Sequence, residues 1–158
     1  MNPMTDLSKE YVKNAVMTAS PEQLQLMLLD GAIRCATQGL EAIRAKDIEA
    51  TFNSLDRAQR IVLELSNGLR RDVNPTLVDQ MAALYDFIFR RLIDANLTRD
   101  PWSVEDALRI LRHQRDTWAL VIEKLKQDPP PGTPAAAPSE PSPAAGHATE
   151  ASRFVAEG

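Results

Sequence analysis

Hydrophobic residues recur every three or four positions through most of the chain, which is the spacing of one face of an α-helix. Three such stripes follow one another after residue 47. They consist of Ile48, Phe52, Leu55, Ala58, Val62, Leu65 and Leu69, then of Leu77, Met81, Leu84, Ile88, Leu92 and Ala95, and finally of Val104, Leu108, Leu111, Trp118, Ile122 and Leu125. No stretch shows the alternation of a strand, so the pattern predicts an all-α chain.

Capping residues mark where the predicted helices begin. A side chain that accepts from the first free amides, followed by proline at the first helical position, is typical of a helix start. This pair occurs as Ser20-Pro21, Asn74-Pro75 and Asp100-Pro101, and Asp47 marks a fourth start. Gln23 adds the spacing of a capping box. Four helices of about 22 to 26 residues with short links predict an antiparallel up-and-down four-helix bundle over residues 18–127.

Two segments flank the predicted bundle. Residues 1–17 form a separate arm or cap, in which YVKNAV is either a helical turn or an extended arm. Residues 128–158 hold seven of the eleven prolines and only two large apolar residues, Phe154 and Val155. Such a segment cannot bury enough apolar surface to offset the entropy lost on ordering. The composition therefore predicts a Pro/Ala-rich disordered tail.

The stretch TASPEQLQLMLLDGAIR, residues 18–34, carries more apolar surface than one stripe. On a helical wheel the apolar arc of this helix spans about 260°, whereas a surface helix needs about 100°. The third predicted helix has an apolar arc of about 180° that includes Tyr85 and Phe89, with Phe87 on its polar side. Because a bundle helix contacts only two neighbours, we expect these two helices to leave apolar surface that something else covers.

Three explanations of this surplus are open from the pattern alone. The N-terminal arm, with Tyr11, Val12 and Val16, could lie over it. Two copies of the chain could form a homodimer through it. It could also be a groove for an apolar segment of another protein, since large apolar patches mark interaction sites. An arm that covers a groove and yields to a partner would combine the first explanation with the third.

Composition and charge narrow the class of protein. The chain is 44% hydrophobic and 25% charged, which is typical of a globular domain, and its net charge of −4 argues against a nucleic acid as main partner. The single cysteine, Cys35, cannot form an internal disulfide and fits a reducing cytosol. No apolar run approaches the roughly 20 residues of a membrane span. Since the first residues also lack the layout of a signal peptide, we expect a cytosolic protein without membrane insertion.

The residue inventory does not favour an enzyme. The only histidines are His113 and His147, and the second lies in the predicted tail. A di-iron bundle needs inward-facing Glu-x-x-His pairs, but Ile110 stands three residues before His113. The sequence shows no glycine-rich phosphate loop and no Cys/His pair suited to nucleophilic catalysis. We therefore expect neither catalysis nor a metal or cofactor.

Three sequence blocks carry a resemblance to a known family. The first, YVKNAVMTASPEQLQLMLLDGAIR, contains Tyr11, Val16, Thr18-Ala19-Ser20-Pro21, Leu24, Met27-Leu28 and Asp30-Gly31-Ala32. The second is LYDFIFRRLIDANLTRD, residues 84–100, and the third is LRHQRDTWALVIE. In this order they resemble the signatures of the flagellin-specific secretion chaperones of the FliS family. Two departures are Leu29, where the family usually has an aromatic residue, and the tail, which has no counterpart in the common pattern.

The resemblance implies an antiparallel four-helix bundle with an N-terminal cap, acting as a non-enzymatic chaperone in the cytosol. It implies that the chain binds the C-terminal segment of newly made flagellin, prevents its premature polymerisation and keeps it export-competent. A second implied partner is the cytoplasmic domain of the flagellar export gate. Amphipathic flagellin helices would then cover the surplus apolar arc. The alternative from another class is a self-associating helical scaffold, a homodimer with no flagellin client.

The apolar arcs and the resemblance together select candidate flagellin-binding residues. They are Tyr11, Val16, Leu24, Leu26, Met27, Leu28, Leu29, Met81, Tyr85 and Phe89. Taken singly, Leu24, Met27 and Leu28 fit the core better than a groove. In contrast, we expect Leu26 and Leu29 on a surface that the arm or a partner covers.

Other side chains are expected to have structural roles. Trp118 lies in register with the stripe of the last helix, which predicts a core position. Asp30 is expected to pair with Arg34 four residues on. Asp86, Arg90 and Asp94 have the same spacing and predict a ladder of charges along a solvated helix face.

Overall fold

A computed structural model describes residues 3–72 and 74–128 of the chain. Within these ranges it contains five α-helices and no strand: α1 (Pro3–Thr18), α2 (Pro21–Arg44), α3 (Ile48–Asn67), α4 (Pro75–Thr98) and α5 (Pro101–Gln127). The prediction of an all-α chain is confirmed. The predicted disorder of the tail concerns residues that, Asp128 apart, lie outside the described ranges.

All four predicted helix starts carry the expected caps. The Ser20 hydroxyl accepts from the Gln23 amide at 3.2 Å while the Gln23 side chain accepts from the Ser20 amide at 3.1 Å, which completes the capping box. The other caps are Asp47 on Ala50, Asn74 on Leu77 and Asp100 on Trp102. The helices therefore begin where local sequence satisfies their free amides.

Helices α2 to α5 pack around one shared core, called the helical core below. Helix α2 packs against α3 and α5, and α4 packs against the same two helices. The core is built mainly from leucine, alanine, valine and isoleucine. Its fully or nearly fully buried members include Leu29, Ala32, Ala36, Leu55, Ala58, Val62, Leu65, Tyr85, Ile88, Leu92, Ala95, Val104, Ala107, Leu108 and Leu111.

The buried face of α4 differs from the predicted stripe in its first turns. Leu77 and Leu84 were expected inside, but both are exposed, and Val78 and Tyr85 are buried in their place. The buried face is thus rotated by one residue, about 100° on the helix. From Ile88 onward the predicted stripe is confirmed.

The first turns of α3 also depart from the pattern. Ile48 and Phe52 are exposed, whereas the polar Thr51 is buried. Thr51 is compatible with the interior because its hydroxyl donates to the Asp47 carbonyl at 2.6 Å. Periodicity alone does not reveal such a local hydrogen bond, and so the prediction of Ile48 and Phe52 as core residues is wrong.

Helix α2 exposes less apolar surface than its wide apolar arc predicts. None of its large hydrophobic side chains is among the exposed ones, and Leu29 is completely buried. The physical reason is the small residues on the side facing α3. At Gly39 a Cβ atom would stand 2.8 Å from Leu55 Cγ, so only glycine lets the two helices approach this closely. Close approach extends the neighbour's cover over a wider arc.

Charged side chains tie the helices at their borders. Asp30 pairs with Arg115 of α5 at 3.0 Å, so the expected pair with Arg34 is wrong. The Asp86–Arg90 pair is present at 3.0 Å, but Asp94 lies 3.8 Å from Arg91 instead of extending the ladder. These partly exposed pairs position the helices more than they stabilise them.

Helix α1 stands apart from the helical core. It makes almost no contact with the other helices. Its large apolar side chains are exposed: Met4, Leu7, Tyr11, Val12, Val16 and Met17. The N-terminal segment is thus a full helix rather than a single turn or an extended arm. The expected cap over the core is not seen in the part of the chain that the structure describes.

Candidate functional site: apolar clefts between the helices

Exposed hydrophobic side chains on the helical core come from α3, α4 and α5. They are Ile48, Phe52, Leu63, Leu77, Leu84, Phe87, Leu97, Trp102, Leu120, Val121 and Leu125. So many large apolar groups on one small domain exceed the scattered single residues of an ordinary surface. The surplus apolar surface therefore exists on α4, where it was expected, and also on α3 and α5, where it was not.

One cleft between α4 and α5, called the α4–α5 cleft below, has a volume of about 420 Å³ and mostly apolar walls. Its apolar lining consists of Leu77, Met81, Leu84, Trp118 and Val121. Four polar side chains, Gln80, His113, Gln114 and Thr117, complete it, and no carboxylate lines it. An apolar slot with polar edges suits the apolar face of an amphipathic helix.

A second cleft of about 310 Å³ continues this surface toward the link between α3 and α4. It shares Met81 and Trp118 with the α4–α5 cleft and adds Leu69 and Val78. Trp118 was expected in the core; it is half-buried, packing on the core with one side and lining both clefts with the other. Met81 has the flexible thioether that adapts to differently shaped side chains.

A third, smaller depression lies between α3 and α4. It has a volume of about 180 Å³ and is lined by Val62, Leu63, Ser66, Tyr85, Asp86 and Phe89. This depression, the α3–α4 groove, lies on the other flank of α4 from the α4–α5 cleft. Helix α4 thus offers apolar binding surface on both sides.

Tyr85 lies buried beneath the surface of α4. Its side chain is only 1% exposed, and its hydroxyl accepts from Gln25 Nε2 of α2 at 3.3 Å. Burial raises the pKa of the Tyr85 phenol above its ordinary value, and hydrogen bonding from Gln25 and Trp118 opposes this in part. The phenol is therefore a neutral anchor that holds the wall of the clefts in place.

The candidate binding residues divide into three groups. Tyr11 and Val16 are exposed on α1. Leu24, Leu26, Met27, Leu28, Met81 and Phe89 are half-buried, so each keeps some surface that a partner could cover. Leu29 and Tyr85 are buried. The expectation that Leu29 lies nearer the surface than Leu24 is wrong, because Leu29 faces the centre of the helical core.

Sequence reasoning missed most of the cleft lining. Leu77, Leu84 and Val121 were not among the candidates, since the first two were assigned to the core and the third lies beside the stripe of its helix. A weak signal existed in α4, where leucine or valine occupies both of the adjacent positions 77 and 78. Only one of two neighbouring positions can face the core, so the other was free to line a cleft.

A larger cavity, about 640 Å³ between α2 and α5, has a different character. Its walls carry Arg44, Glu105, Arg109, Arg112, His113 and Asp116 beside Leu40 and Leu108. Arg44 pairs with Glu105 at 2.8 Å. This is a solvated cleft of paired charges rather than an apolar groove.

Residues 3–72 and 74–128 hold neither a metal-ligand cluster nor a membrane-spanning helix. There, no group of three or more His, Cys, Asp or Glu side chains could hold a metal ion. None of the described helices combines the length and the apolar character that crossing a bilayer requires. Cys35 is a half-buried free thiol.

Comparison with known proteins shows which family shares this arrangement. The sequence profile of the family described as FliS, flagellar protein FliS, matches residues 4–125. The chain belongs to the FliS family. The resemblance of the three sequence blocks is thereby confirmed. The matched region includes all five helices apart from the first residue of α1 and the last two of α5.

Named relatives in the FliS family are flagellar secretion chaperones. The chain is 33% identical to the one from Bacillus subtilis over 127 residues, covering 80% of this chain and 91% of that protein. It is 33% identical to the one from Escherichia coli over 124 residues, covering 75% and 89%. These relatives are named as chaperones and not as enzymes. The family places the chain in flagellar secretion, with a client protein.

A solved structure shows the same fold. The crystal structure of a bacterial flagellar chaperone superposes with a TM-score of 0.63 and 21% sequence identity, covering 77% of this chain and 99% of that one. At this identity the likeness concerns the fold alone.

Proposed function

We propose that this protein is a cytosolic export chaperone that binds the C-terminal helical region of flagellin. By covering the apolar faces of those helices it prevents premature polymerisation and keeps flagellin export-competent. The observation that supports this most directly is the apolar surface along both flanks of α4, in a chain that belongs to a family of flagellar secretion chaperones. Removal of this surface from water drives the association.

In this proposal the α4–α5 cleft and the α3–α4 groove bind different segments of the client. The α4–α5 cleft receives the large apolar side chains of one client helix, with Leu84 and Val121 at its rim. The α3–α4 groove receives a second segment of the client against Leu63 and Phe89. Leu24, Leu26, Met27 and Leu28 extend the contact along α2. Leu29 and Tyr85 act from beneath by holding the walls, not by touching the client.

Helix α1 adds a movable binding edge in this proposal. Tyr11 and Val16 lie on its exposed surface, and almost nothing fixes α1 to the helical core. An amphipathic helix with an uncovered apolar face can pack onto a bound client or dock on the cytoplasmic domain of the export gate. In this proposal, the cap predicted from the sequence is α1 once it has packed onto the bound client.

We further propose that residues 18–127 form an antiparallel up-and-down four-helix bundle, with residues 1–17 and 128–158 as its flanking segments. Residues 45–47 and 99–100 link helices of 20 or more residues that pack side by side. Links this short leave no room for the chain to return to the opposite end of the bundle. They therefore favour antiparallel neighbours.

A second function, a self-associating scaffold, draws on the same observation. Exposed apolar side chains such as Leu84, Phe87 and Val121 could join two copies in a permanent dimer. Size-exclusion chromatography with light scattering separates the two functions. The chaperone gives a one-to-one complex with flagellin, whereas the scaffold gives a dimer that neither dilution nor flagellin dissociates.

A matched pair of substitutions tests the proposed binding surface. Leu84→Asp places a charge at the rim of the α4–α5 cleft and should abolish protection against flagellin polymerisation, followed by light scattering after addition of filament seeds. Leu97→Asp is the control, because Leu97 is an exposed leucine of the same helix that does not line either cleft. Equal protection by both variants would contradict the proposal.

A further inference from the structure

The cavity between α2 and α5, called the α2–α5 cavity below, lies on a face of the helical core that the proposed client contacts leave open. Helix α2 packs against α3 and α5, and α4 packs against the same two helices. The seam between α2 and α5 therefore shares no helix with the α3–α4 groove. Of the residues that line the α2–α5 cavity, only His113 also lines the α4–α5 cleft. A ligand in this cavity thus leaves the α3–α4 groove free.

The carboxylates on the wall of the α2–α5 cavity are already paired with arginines. Glu105 of α5 accepts from Arg44 of α2 at 2.8 Å. Asp116 lies 3.5 Å from Arg115, which also pairs with Asp30. Because each carboxylate has a cation beside it, the two add little repulsion toward an anion that enters the cavity.

Two further arginines of the same wall keep donors available for a ligand. Arg112 belongs to none of the ion pairs formed within residues 3–72 and 74–128. Arg109 shares its carboxylate partner, Asp106, with Arg91, and 75% of the Arg109 side chain is exposed. The two guanidiniums stand three residues apart on one face of α5. Since a guanidinium carries five N–H donors in a planar fork, they can bind carboxylates of another molecule in a two-pronged geometry.

Trp102 adds a large apolar side chain on the same face of α5. It is 71% exposed, although tryptophan is on average a highly buried residue type. It precedes Arg109 by seven residues, which is two helical turns or about 10 Å. Its backbone amide donates to the Asp100 side chain at 3.0 Å, so the helix start from which the ring projects is fixed. Tryptophan and arginine are the side chains that most often dominate the energy of protein interfaces.

The base of the α2–α5 cavity is apolar. Leu40 and Leu108 line it and are almost completely buried. Its volume of about 640 Å³ is in the range of sites that enclose a ligand. The face therefore combines an apolar base, a positive edge and an exposed indole ring.

This combination selects the kind of partner. The net charge of −4 disfavours a nucleic acid, whereas two arginines beside a tryptophan match a peptide that carries both acidic and apolar side chains. We infer that the α2–α5 cavity and Trp102 form a docking surface for an acidic, partly apolar segment of a protein other than the client. Its carboxylates pair with Arg109 and Arg112, and one of its apolar side chains packs on Trp102. This inference does not depend on flagellin being the client.

Fluorescence anisotropy of a labelled peptide tests this docking surface. The probe alternates glutamate with leucine, and its counterpart carries lysine in place of every glutamate. The full-length chain should bind the glutamate peptide and not the lysine peptide. Arg109→Gln with Arg112→Gln should weaken binding about tenfold, because charge-assisted hydrogen bonds are lost. Trp102→Ser should weaken it to a similar extent, because the apolar anchor is removed.

The matched control is Arg34→Gln with Arg57→Gln, which removes the same charge from two exposed arginines of α2 and α3. Neither arginine lines the clefts and cavities described above, so the control should bind the glutamate peptide like the wild type. An equal loss of affinity in the control would show that only net charge matters, and it would overturn the inference.

Other results would also contradict it. Peptide binding that is lost in Leu84→Ser but kept in the Arg109 and Arg112 variant would assign the peptide to the α4–α5 cleft. Displacement of the peptide by a saturating flagellin C-terminal segment would assign the face to the client. Tighter binding of single-stranded DNA than of the peptide would assign it to a nucleic acid, and self-association that Trp102→Ser abolishes would assign it to a second copy.

Discussion

At the scale of single residues, Gly39 and Tyr85 contribute to how the helices of the helical core pack together. Gly39 permits a close approach of α2 to Leu55 that an added Cβ atom would obstruct. Tyr85 joins α4 to Gln25 of α2 through one buried hydroxyl. In this account neither residue contacts the client, and both affect the binding surface by positioning the helices.

Gly39 and Gly31 of α2 form a matched pair for a test of this contact. In Gly39→Ala the new Cβ meets Leu55, and we expect a loss of about 1 to 3 kcal/mol in unfolding free energy from overpacking. In Gly31→Ala the nearest atom, Ile61 Cδ1, stands at an ordinary 3.5 Å, so the gain in helix propensity should stabilise the protein by about 0.5 to 1 kcal/mol. Urea unfolding followed by circular dichroism measures both; equal effects of the same sign would refute the proposed close contact.

Tyr85→Phe removes a hydroxyl and leaves the Gln25 amide without its partner. We expect a loss of about 1 kcal/mol at neutral pH. Burial raises the pKa of the Tyr85 phenol in the folded chain, so its contribution is complete below the unfolded pKa near 10 and is lost as the pH rises through the folded pKa. The stability difference between wild type and Tyr85→Phe should therefore shrink or invert between about pH 9 and 11. A constant difference would show that the phenol is not buried in this way.

At the scale of helices, the starts were predictable and the buried faces only partly so. Caps such as Ser20 and Asn74 depend on two or three neighbouring residues, which the sequence displays directly. The buried face of a helix depends on where its neighbours lie. In α4 the stripe was therefore predicted one residue away from Val78 and Tyr85, and the α4–α5 cleft was missed.

Helix α1 provides the prediction that belongs to this scale. Tyr11→Ser with Val16→Ser should leave the urea midpoint unchanged, because α1 makes almost no contact with the helical core. The same double variant should weaken binding of a flagellin C-terminal segment about tenfold, since two apolar groups lose their burial in the complex.

The control for α1 is Glu10→Ser with Lys13→Ser, which keeps the net charge and changes exposed polar positions. It should bind like the wild type. Wild-type affinity in the Tyr11 and Val16 variant would remove α1 from the binding surface. A drop in its unfolding midpoint would instead show that α1 packs on the core.

At the scale of the whole molecule, the family could be predicted from the sequence, whereas the position of the open apolar surface could not. The sequence blocks around Tyr11, Leu84 and Trp118 are contiguous motifs, so they can be recognised in the sequence without knowledge of the fold. The open apolar surface depends on how four helices share their apolar arcs, so its presence on α3 and α5 became apparent only in the assembled molecule. The separation of α1 from the core is likewise a property of the assembled molecule.

The central claim is that a client is bound by burial of apolar surface in clefts on both flanks of α4. Titration calorimetry of the full-length chain with a flagellin C-terminal segment, repeated at several temperatures, measures this directly. We predict one-to-one binding with a clearly negative heat-capacity change, the mark of apolar burial. Absence of binding, or binding with a heat-capacity change near zero and a steep dependence on salt, would contradict the account.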